Sequence, residues 1–263
     1  MIKEFRLYRQ YIKINLLSGM EYKGWWLMIF QVLVVTIVDP LTVVLVFSRF
    51  GSIGEWTMER ILLIYAMAFT SYGLAESFFR GFTYFPEHLI RTGNFDRILL
   101  RPKSLFTQVS ASFFHVHRTA RVAVGLCIIF WALSRLNVDV TFLNAVILVF
   151  ALAGGMMTYA GVIVISASVA FFTIKAMDWI YIFTSASREV ARVPIDYVPR
   201  VLRYMFTFLM PMLVISYFPA SAIVGFGGAA WRGWLALPAG ALFFWMSMLV
   251  WRVGVRHYQS TGS

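Results

Sequence analysis

The sequence predicts an all-α protein that crosses a membrane several times. Of its 263 residues, 60% are hydrophobic and 13% are charged, and they include 25 Phe and 9 Trp. This is more apolar surface than a soluble domain of this length can bury. Runs of about 20 apolar residues are long enough to cross a bilayer as helices. Such runs occur at roughly 26–48, 60–79, 118–134, 142–173, 203–217 and 234–251, so we expect six transmembrane helices.

The segment before the first run has a different pattern. Basic residues interrupt residues 1–24, so this stretch lacks the continuous apolar core of a signal peptide. Apolar residues recur at helical spacing at Ile2, Phe5, Tyr8, Ile12 and Leu16. We therefore expect an amphipathic helix at 1–24 that lies along an anionic membrane surface, followed by a six-span domain at 25–263. A solvated helix packed on a partner protein is the alternative.

The distribution of basic residues predicts the orientation, because cytoplasmic loops of membrane proteins are enriched in Lys and Arg. With both termini in the cytoplasm, the cytoplasmic set is Lys3, Arg6, Arg9, Lys13, Lys23, Arg80, Arg91, Arg97, Arg101, Lys103, Arg118, Arg121, Lys175, Arg188, Arg192, Arg200, Arg203, Arg252 and Arg256. The external set is then only Arg49, Arg60, Arg135 and Arg232. Basic residues at membrane edges also explain the net charge of +11 without nucleic acid as a partner.

The sequence contains no motif for nucleotide hydrolysis or for metal chemistry. The phosphate-binding pattern G-x-x-x-x-G-K-[ST] is absent, as are G-x-S-x-G and H-E-x-x-H. The single cysteine, Cys127, cannot form a disulfide or a thiolate site within one chain. His115 and His117 point to helix faces about 200° apart, which is unfavourable for a shared metal ion. We therefore predict no catalytic residue, no metal and no cofactor on this chain.

Two acidic residues interrupt the apolar runs. Asp39 precedes Pro40 near the middle of the first run, where proline removes a backbone donor and favours a kink. Two interpretations remain open for Asp39: a polar notch on a transport path, or a paired or protonated acid that stabilises the kink. Glu76 lies one helical turn before Arg80, and this spacing predicts an ion pair at the membrane interface rather than a substrate site.

A polar, basic stretch at 82–104 separates the second and third runs. Gly93 and Asn94 can cap a short helix at Phe95–Leu100, which Pro102 would end. Ser104 can cap the helix that follows. Phe95, Ile98 and Leu99 would share one face of the short helix, leaving Asp96, Arg97 and Arg101 available to water or to another protein. Spacing alone leaves two interpretations: a docking element, or a loop whose arginines contact lipid phosphates.

The order of these elements resembles the ABC-2 type permeases of bacterial ABC transporters, in particular a branch of roughly 260 residues with the motif G-x-(F/L)-D-x-x-L-L-R-P. The residues that match this motif are Gly93, Phe95, Asp96, Leu99, Leu100, Arg101 and Pro102. Residues 192–199 are similar to the R-x-P-x-x-x-x-P segment of that branch, and residues 217–220 to its Y-x-P-A segment. The resemblance covers essentially the whole chain.

The resemblance implies an architecture and a mechanism. Residues 82–104, with Gly93, Asn94, Arg97 and the motif residues, would form a cytoplasmic coupling helix that contacts a separate ATPase. Short external re-entrant helices would lie between spans five and six. Two ATPase subunits, carrying ATP and magnesium, would drive two permease halves, identical or related, in a bacterial cell membrane. We expect export of a hydrophobic or amphipathic substance such as a lipid, drug or natural product. The rival classes are an ion-coupled secondary transporter and an integral-membrane enzyme.

Overall fold

The computed structural model describes residues 2–21, 24–113, 119–139, 141–173, 185–186 and 189–259. Over these ranges the chain is helical and has no strand, apart from an isolated bridge between Ile53 and Trp56. The α-helices are α1 (Ile2–Glu21), α2 (Trp25–Phe50), α3 (Met58–Phe85), α4 (Asn94–Leu99), α5 (Leu105–Ala111), α6 (Thr119–Arg135), α7 (Phe142–Val169), α8 (Arg200–Tyr204), α9 (Met212–Ile215), α10 (Tyr217–Val224) and α11 (Ala236–His257). Within the same ranges, two π-helical turns (Pro86–Ile90, Met205–Leu209) and two 3₁₀ turns (Ile195–Tyr197, Ala230–Leu235) extend or connect them.

Four of the described helical stretches are long and apolar enough to cross a membrane: Trp26–Phe50, Met58–Ile90, Phe142–Val169 and Ala230–His257. A bent pair, Arg200–Leu209 with Met212–Val224, would make a fifth if it counts as one span, although its two halves meet at 73°. Helix α6 has 17 described residues and is preceded by residues outside the described ranges. The multi-pass all-helical class is therefore confirmed, with four or five candidate spans among the described residues, and the predicted number of six is not confirmed.

Helix α3 is the centre of the bundle, with most of its apolar stretch buried against α6 and α7. Helices α7 and α11 approach so closely that a Cβ atom at Gly154 would overlap the Ala236 carbonyl. A Cβ at Gly240 would in turn overlap the Gly154 carbonyl. Small residues that allow backbones to touch are typical of helix packing in membranes, where close van der Waals contact replaces the hydrophobic effect.

Helix α2 is the least covered of the long helices. Only 17% of its apolar stretch is buried, and side chains such as Leu27, Phe30 and Leu45 are largely exposed. The helix runs unbroken through Pro40, whose ring nitrogen cannot donate to the Thr36 carbonyl. An apolar helix face of this size requires hydrocarbon or another protein surface around it.

The two ends of the bundle are marked by separate aromatic groups. At one end Phe85 lies 5.2 Å from Phe171 and 5.1 Å from Trp251, measured between ring centroids. At the other end, beyond the start of α3, Trp56 lies 5.5 Å from Phe226. We call these the Phe85 end and the Trp56 end.

The sequence predicted that the junction between spans four and five lies on the same side of the membrane as residues 82–104. This prediction is wrong for residues 195–203. Trp56 donates a hydrogen bond of 2.9 Å from Nε1 to Asp196, and Arg203 donates one of 2.5 Å to the Ile195 carbonyl. Residues 195–203 therefore lie at the Trp56 end, whereas Phe171 lies at the Phe85 end. The basic-residue rule assumes that arginines face water in the cytoplasm. Arg192 and Arg203 instead have partners within the protein, so they do not report orientation.

The predicted span at 203–217 is also not a straight helix. It breaks at residues 210–211, between the two halves of the bent pair. The pair begins shortly after Asp196 and ends shortly before Phe226, and both of these residues contact Trp56. Both ends of the pair thus lie at the Trp56 end of the bundle.

Candidate coupling surface and buried ion pairs

The polar stretch after α3 folds as a compact turn and helix at the Phe85 end. Gly93 has a left-handed backbone with φ of 69°, which suits glycine and starts α4 at Asn94. After Leu99 the chain bends through Pro102, and Ser104 caps α5 by accepting a hydrogen bond from the Thr107 amide. The helix lies one residue earlier than the predicted Phe95–Leu100, because Gly93 rather than Asn94 is the N-cap. We call residues 91–104 the coupling segment.

The inner side of the coupling segment is anchored by Phe95. This side chain is 0% exposed, and its ring lies 5.2 Å from Phe85, 5.6 Å from Phe171 and 4.9 Å from Tyr258. Ile98, one turn later, is also buried. The aromatic contacts link α4 to the ends of α3, α7 and α11, so displacement of α4 would be transmitted to three membrane helices.

The outer side of the segment combines an exposed apolar residue with exposed charges. Leu100 is 86% exposed, and Leu99 is 41% exposed. The sequence had predicted that Leu99 shares a face with Phe95 and Ile98, but these two residues are buried and Leu99 is not. Arg97 and Arg101 are exposed on the same element. Exposed leucines flanked by arginines on a rigid element are typical of a protein contact surface.

Asp96 differs from the expectation that it would be available to a partner. It lies close to the hydroxyl of Tyr258, which follows α11. Burial, together with the neighbouring Asp96 carboxylate, raises the pKa of Tyr258 to about 12. Asp96 therefore links the coupling segment to the end of α11 and is only partly exposed.

Helix α1 packs across the same end through three polar contacts. Tyr8 donates a hydrogen bond of 2.8 Å to the Phe78 carbonyl, and Asn15 donates one of 3.2 Å to the Ala111 carbonyl. Arg101 donates one of 3.1 Å to the Tyr11 hydroxyl. Arg9 and Lys13 are exposed. Tyr8, Tyr11 and Asn15 are thus turned toward the bundle, and the amphipathic, membrane-lying role of the helix stays a prediction.

A buried ion-pair cluster lies in α3 and α6. Glu76 pairs with Arg80 one turn later, and its second oxygen pairs with Arg121 of α6. Arg80 also donates a hydrogen bond of 2.8 Å to the Tyr84 hydroxyl. All three charged residues are buried. The sequence predicted the Glu76–Arg80 pair at the membrane interface. It did not indicate the pair between Glu76 and Arg121, which links α3 to α6.

A second cluster surrounds Asp39. Arg192 lies 2.5 Å from Asp39 Oδ1, and the Tyr65 hydroxyl donates a hydrogen bond of 3.0 Å to Oδ2. Arg192 also pairs with Glu189 at 3.0 Å. The acid at mid-span is therefore paired, which corresponds to one of the two interpretations left open above. Whether it also lines a transport path stays a prediction.

An apolar groove lies on the other flank of α2. It encloses about 580 Å³ between α2, α3 and α6, and its walls include Ile37, Leu41, Val124, Cys127 and Trp131. Cys127 is exposed and free. The region of His115 and His117 lies outside the described residues, and the described residues contain no cluster of three or more potential metal ligands.

Comparison with known proteins gives one result. The model of a family described as ABC-2 family transporter protein matches residues 33–262. No curated protein and no solved structure matches this chain.

Proposed function

Since the chain belongs to the ABC-2 family of transporter proteins, and is therefore a multi-pass ABC permease, we propose that it exports a hydrophobic or amphipathic substance by alternating access. Members of this family work with ABC ATPase subunits. Two such subunits, holding ATP and magnesium, would supply the energy. The chain itself would bind no cofactor and catalyse no reaction.

The observation that carries the proposal is the construction of the coupling segment. Its outer side presents Leu100 with Arg97 and Arg101, while its inner side is fixed by Phe95 to three membrane helices. An ATPase that pushes on the outer side would move the ends of α3, α7 and α11 together. The proposed contact residues are the exposed Asn94, Arg97, Leu99, Leu100, Arg101 and Pro102, while Gly93, Phe95 and Asp96 would shape and anchor the segment.

We orient the Phe85 end toward the cytoplasm of a bacterial cell, with both termini on that side. Arg91, Lys103, Arg252 and Arg256 all lie near this end, in agreement with the enrichment of basic residues on the cytoplasmic side. The bent pair at the Trp56 end would then be an external re-entrant loop, because it begins and ends on the same side. Residues 203–217 would accordingly not form the fifth crossing.

A second permease half would complete the transport path. Helix α2 leaves a long apolar face exposed, and this face is large enough to pack against another copy of the chain or a related permease. The part of α2 that does not contact that half would face lipid.

Two features favour an apolar or amphipathic cargo. The groove beside α2 is lined by aliphatic and aromatic side chains, and its volume is in the range of small-molecule sites. Asp39 and Glu76, the two acids that interrupt the predicted apolar runs, are both paired with arginines. An arginine that is paired with a carboxylate competes with a coupling cation for it. The secondary-transporter alternative is correspondingly less favoured.

Co-purification with an ATPase tests this proposal. The tagged permease, extracted from its native membrane, should carry an ABC ATPase subunit, and the complex should hydrolyse ATP. Leu100→Asp should abolish the association because it places a charge in an apolar contact, whereas Leu100→Met keeps the contact apolar and should retain it. A permease that transports its cargo in vesicles lacking any ATPase would contradict the proposal.

A further inference from the structure

A polar cleft separates α1 from the coupling segment. It encloses about 410 Å³, and its walls include Tyr11 of α1, His88, Arg97, Arg101, Gln108 and Phe113. Leu100 of the outer side is not part of its walls, whereas Asn94, Arg97 and Arg101 belong both to the cleft and to the proposed ATPase contact. Its position at the ends of α3 and α5 places it at the level of the membrane surface.

The charge of the cleft is positive. Arg97 and Arg101 both line it, and its described walls contain no aspartate or glutamate. Within the part of the chain that the structure describes, neither arginine forms an ion pair. Among the described residues, their guanidinium groups make one hydrogen bond, from Arg101 to the Tyr11 hydroxyl. Two guanidinium groups in one cleft repel each other unless an anion lies between them.

The cleft also offers polar and apolar groups in the arrangement that a lipid would need. Gln108 is buried, and its Oε1 atom has no hydrogen-bond partner among the described residues, so it remains available to a hydroxyl donor. Leu89, Ile98 and Phe113 supply apolar walls. On α1, Ile14 and Leu17 are exposed apolar side chains, which require hydrocarbon next to the helix.

We propose that this cleft binds the head group of an anionic phospholipid, which joins α1 to the coupling segment. The phosphate would lie between Arg97 and Arg101, with a head-group hydroxyl near Gln108. Basic pockets at the cytoplasmic side of membrane helices are suited to acidic head groups. The exposed apolar residues of α1 favour a lipid over a soluble phosphate, because a soluble anion makes no use of them. The site shares Arg97 and Arg101 with the proposed ATPase contact and rests on the orientation given under the proposed function, but the permease alone is sufficient to test it.

The test uses the purified permease without any ATPase. The delipidated protein is titrated with phosphatidylglycerol or with phosphatidylcholine, and bound lipid is counted by native mass spectrometry. One phosphatidylglycerol should bind in preference to phosphatidylcholine. Arg97→Gln and Arg101→Gln should each weaken this binding roughly fivefold, which corresponds to about 1 kcal/mol per arginine near an anionic head group.

Two controls make the result decisive. Arg91→Gln removes an exposed arginine of the adjacent turn that does not line the cleft, and it should leave lipid binding unchanged. Arg97→Lys with Arg101→Lys keeps the charge and should retain most of the binding, which excludes a loss through misfolding. Equal binding of phosphatidylcholine, or an equal loss in Arg91→Gln, would overturn the site. Displacement of the lipid by an equimolar amount of glycerol phosphate would assign the cleft to a soluble anion instead and would also overturn it.

Discussion

The Arg101 guanidinium donates a hydrogen bond of 3.1 Å to the Tyr11 hydroxyl, which connects the coupling segment directly to α1. The two residues are 90 positions apart, and each belongs to an element whose inner side packs on the membrane bundle. Movement of the coupling segment would therefore pull on α1. The coupling segment and α1 together form one unit at the Phe85 end.

Tyr11→Phe tests this connection, because it removes only the hydroxyl. The change should cost about 1 kcal/mol, the typical net contribution of one intramolecular hydrogen bond. We expect ATP hydrolysis by the assembled transporter to continue while transport per ATP falls. Tyr204→Phe, on an exposed tyrosine of α8 at the other end, is the matched control. An unchanged ratio of transport to hydrolysis in Tyr11→Phe would show that the contact has no role in coupling.

Phe95→Ala should destabilise the protein strongly. The side chain is completely buried among aromatic rings, and truncation of a buried phenylalanine costs about 3–5 kcal/mol. Thermal unfolding in detergent measures the effect. Phe208→Ala removes the same group from a site that is 78% exposed and should shift the midpoint far less. Equal shifts for the two variants would contradict the packing described for α4.

Glu76→Gln should be more damaging than the loss of its partner Arg80. It leaves two buried arginines without their carboxylate, and an uncompensated buried charge costs about 3–5 kcal/mol. Adding Arg121→Gln to Glu76→Gln should restore part of the stability, because the link between α3 and α6 then contains fewer unpaired charges. Folding yield and thermal midpoint report both effects. Additive losses in the double variant would rule out direct coupling between the two residues.

Asp39→Asn tests whether the pair with Arg192 is a structural link or part of the transport path. As a structural link, the pair should show a coupling energy of about 1–3 kcal/mol in a double-mutant cycle with Arg192→Gln. If Asp39 also lines the path, transport should fall by more than the loss of folded protein explains. Measurement of transport per folded molecule separates the two. Full transport and full stability in Asp39→Asn would refute both roles.

Sequence reasoning located the long helices because each depends on a local apolar run, as in α2, α3, α7 and α11. It also located α4, because Gly93, Pro102 and Ser104 act on the backbone within a few residues. It failed where a charged residue is paired over a long distance. Asp39 required a cation, but nothing in the sequence distinguishes Arg192 from the other basic residues. For the same reason the sequence did not indicate the Glu76–Arg121 pair. Residues 195–203 were placed at the wrong end because the basic-residue rule counted arginines that have partners within the protein.

The part of the candidate site that depends on residues close together in the sequence was predictable. The anchoring role of Phe95 follows from its helical spacing with Ile98, whereas the contact of Asp96 with Tyr258 joins residues from distant parts of the chain. The exposure of Leu99 could not be predicted from spacing, because it depends on which neighbouring elements cover the face of α4. Sequence periodicity also does not fix a helix boundary to one residue, and α4 starts one residue earlier than predicted. The role of the segment in coupling stays a prediction.

The most direct measurement of the central claim is a nucleotide-dependent crosslink at the coupling segment. In a Cys127→Ser background, Leu100→Cys is treated with a short bifunctional thiol reagent in membranes that contain the ATPase. Val201→Cys, 77% exposed at the Trp56 end, is the matched control. We predict a crosslink between the ATPase and position 100 whose yield changes on addition of ATP and magnesium, and none from position 201. A crosslink from position 201, or none from position 100, would contradict the assignment of this segment as the contact with the ATPase.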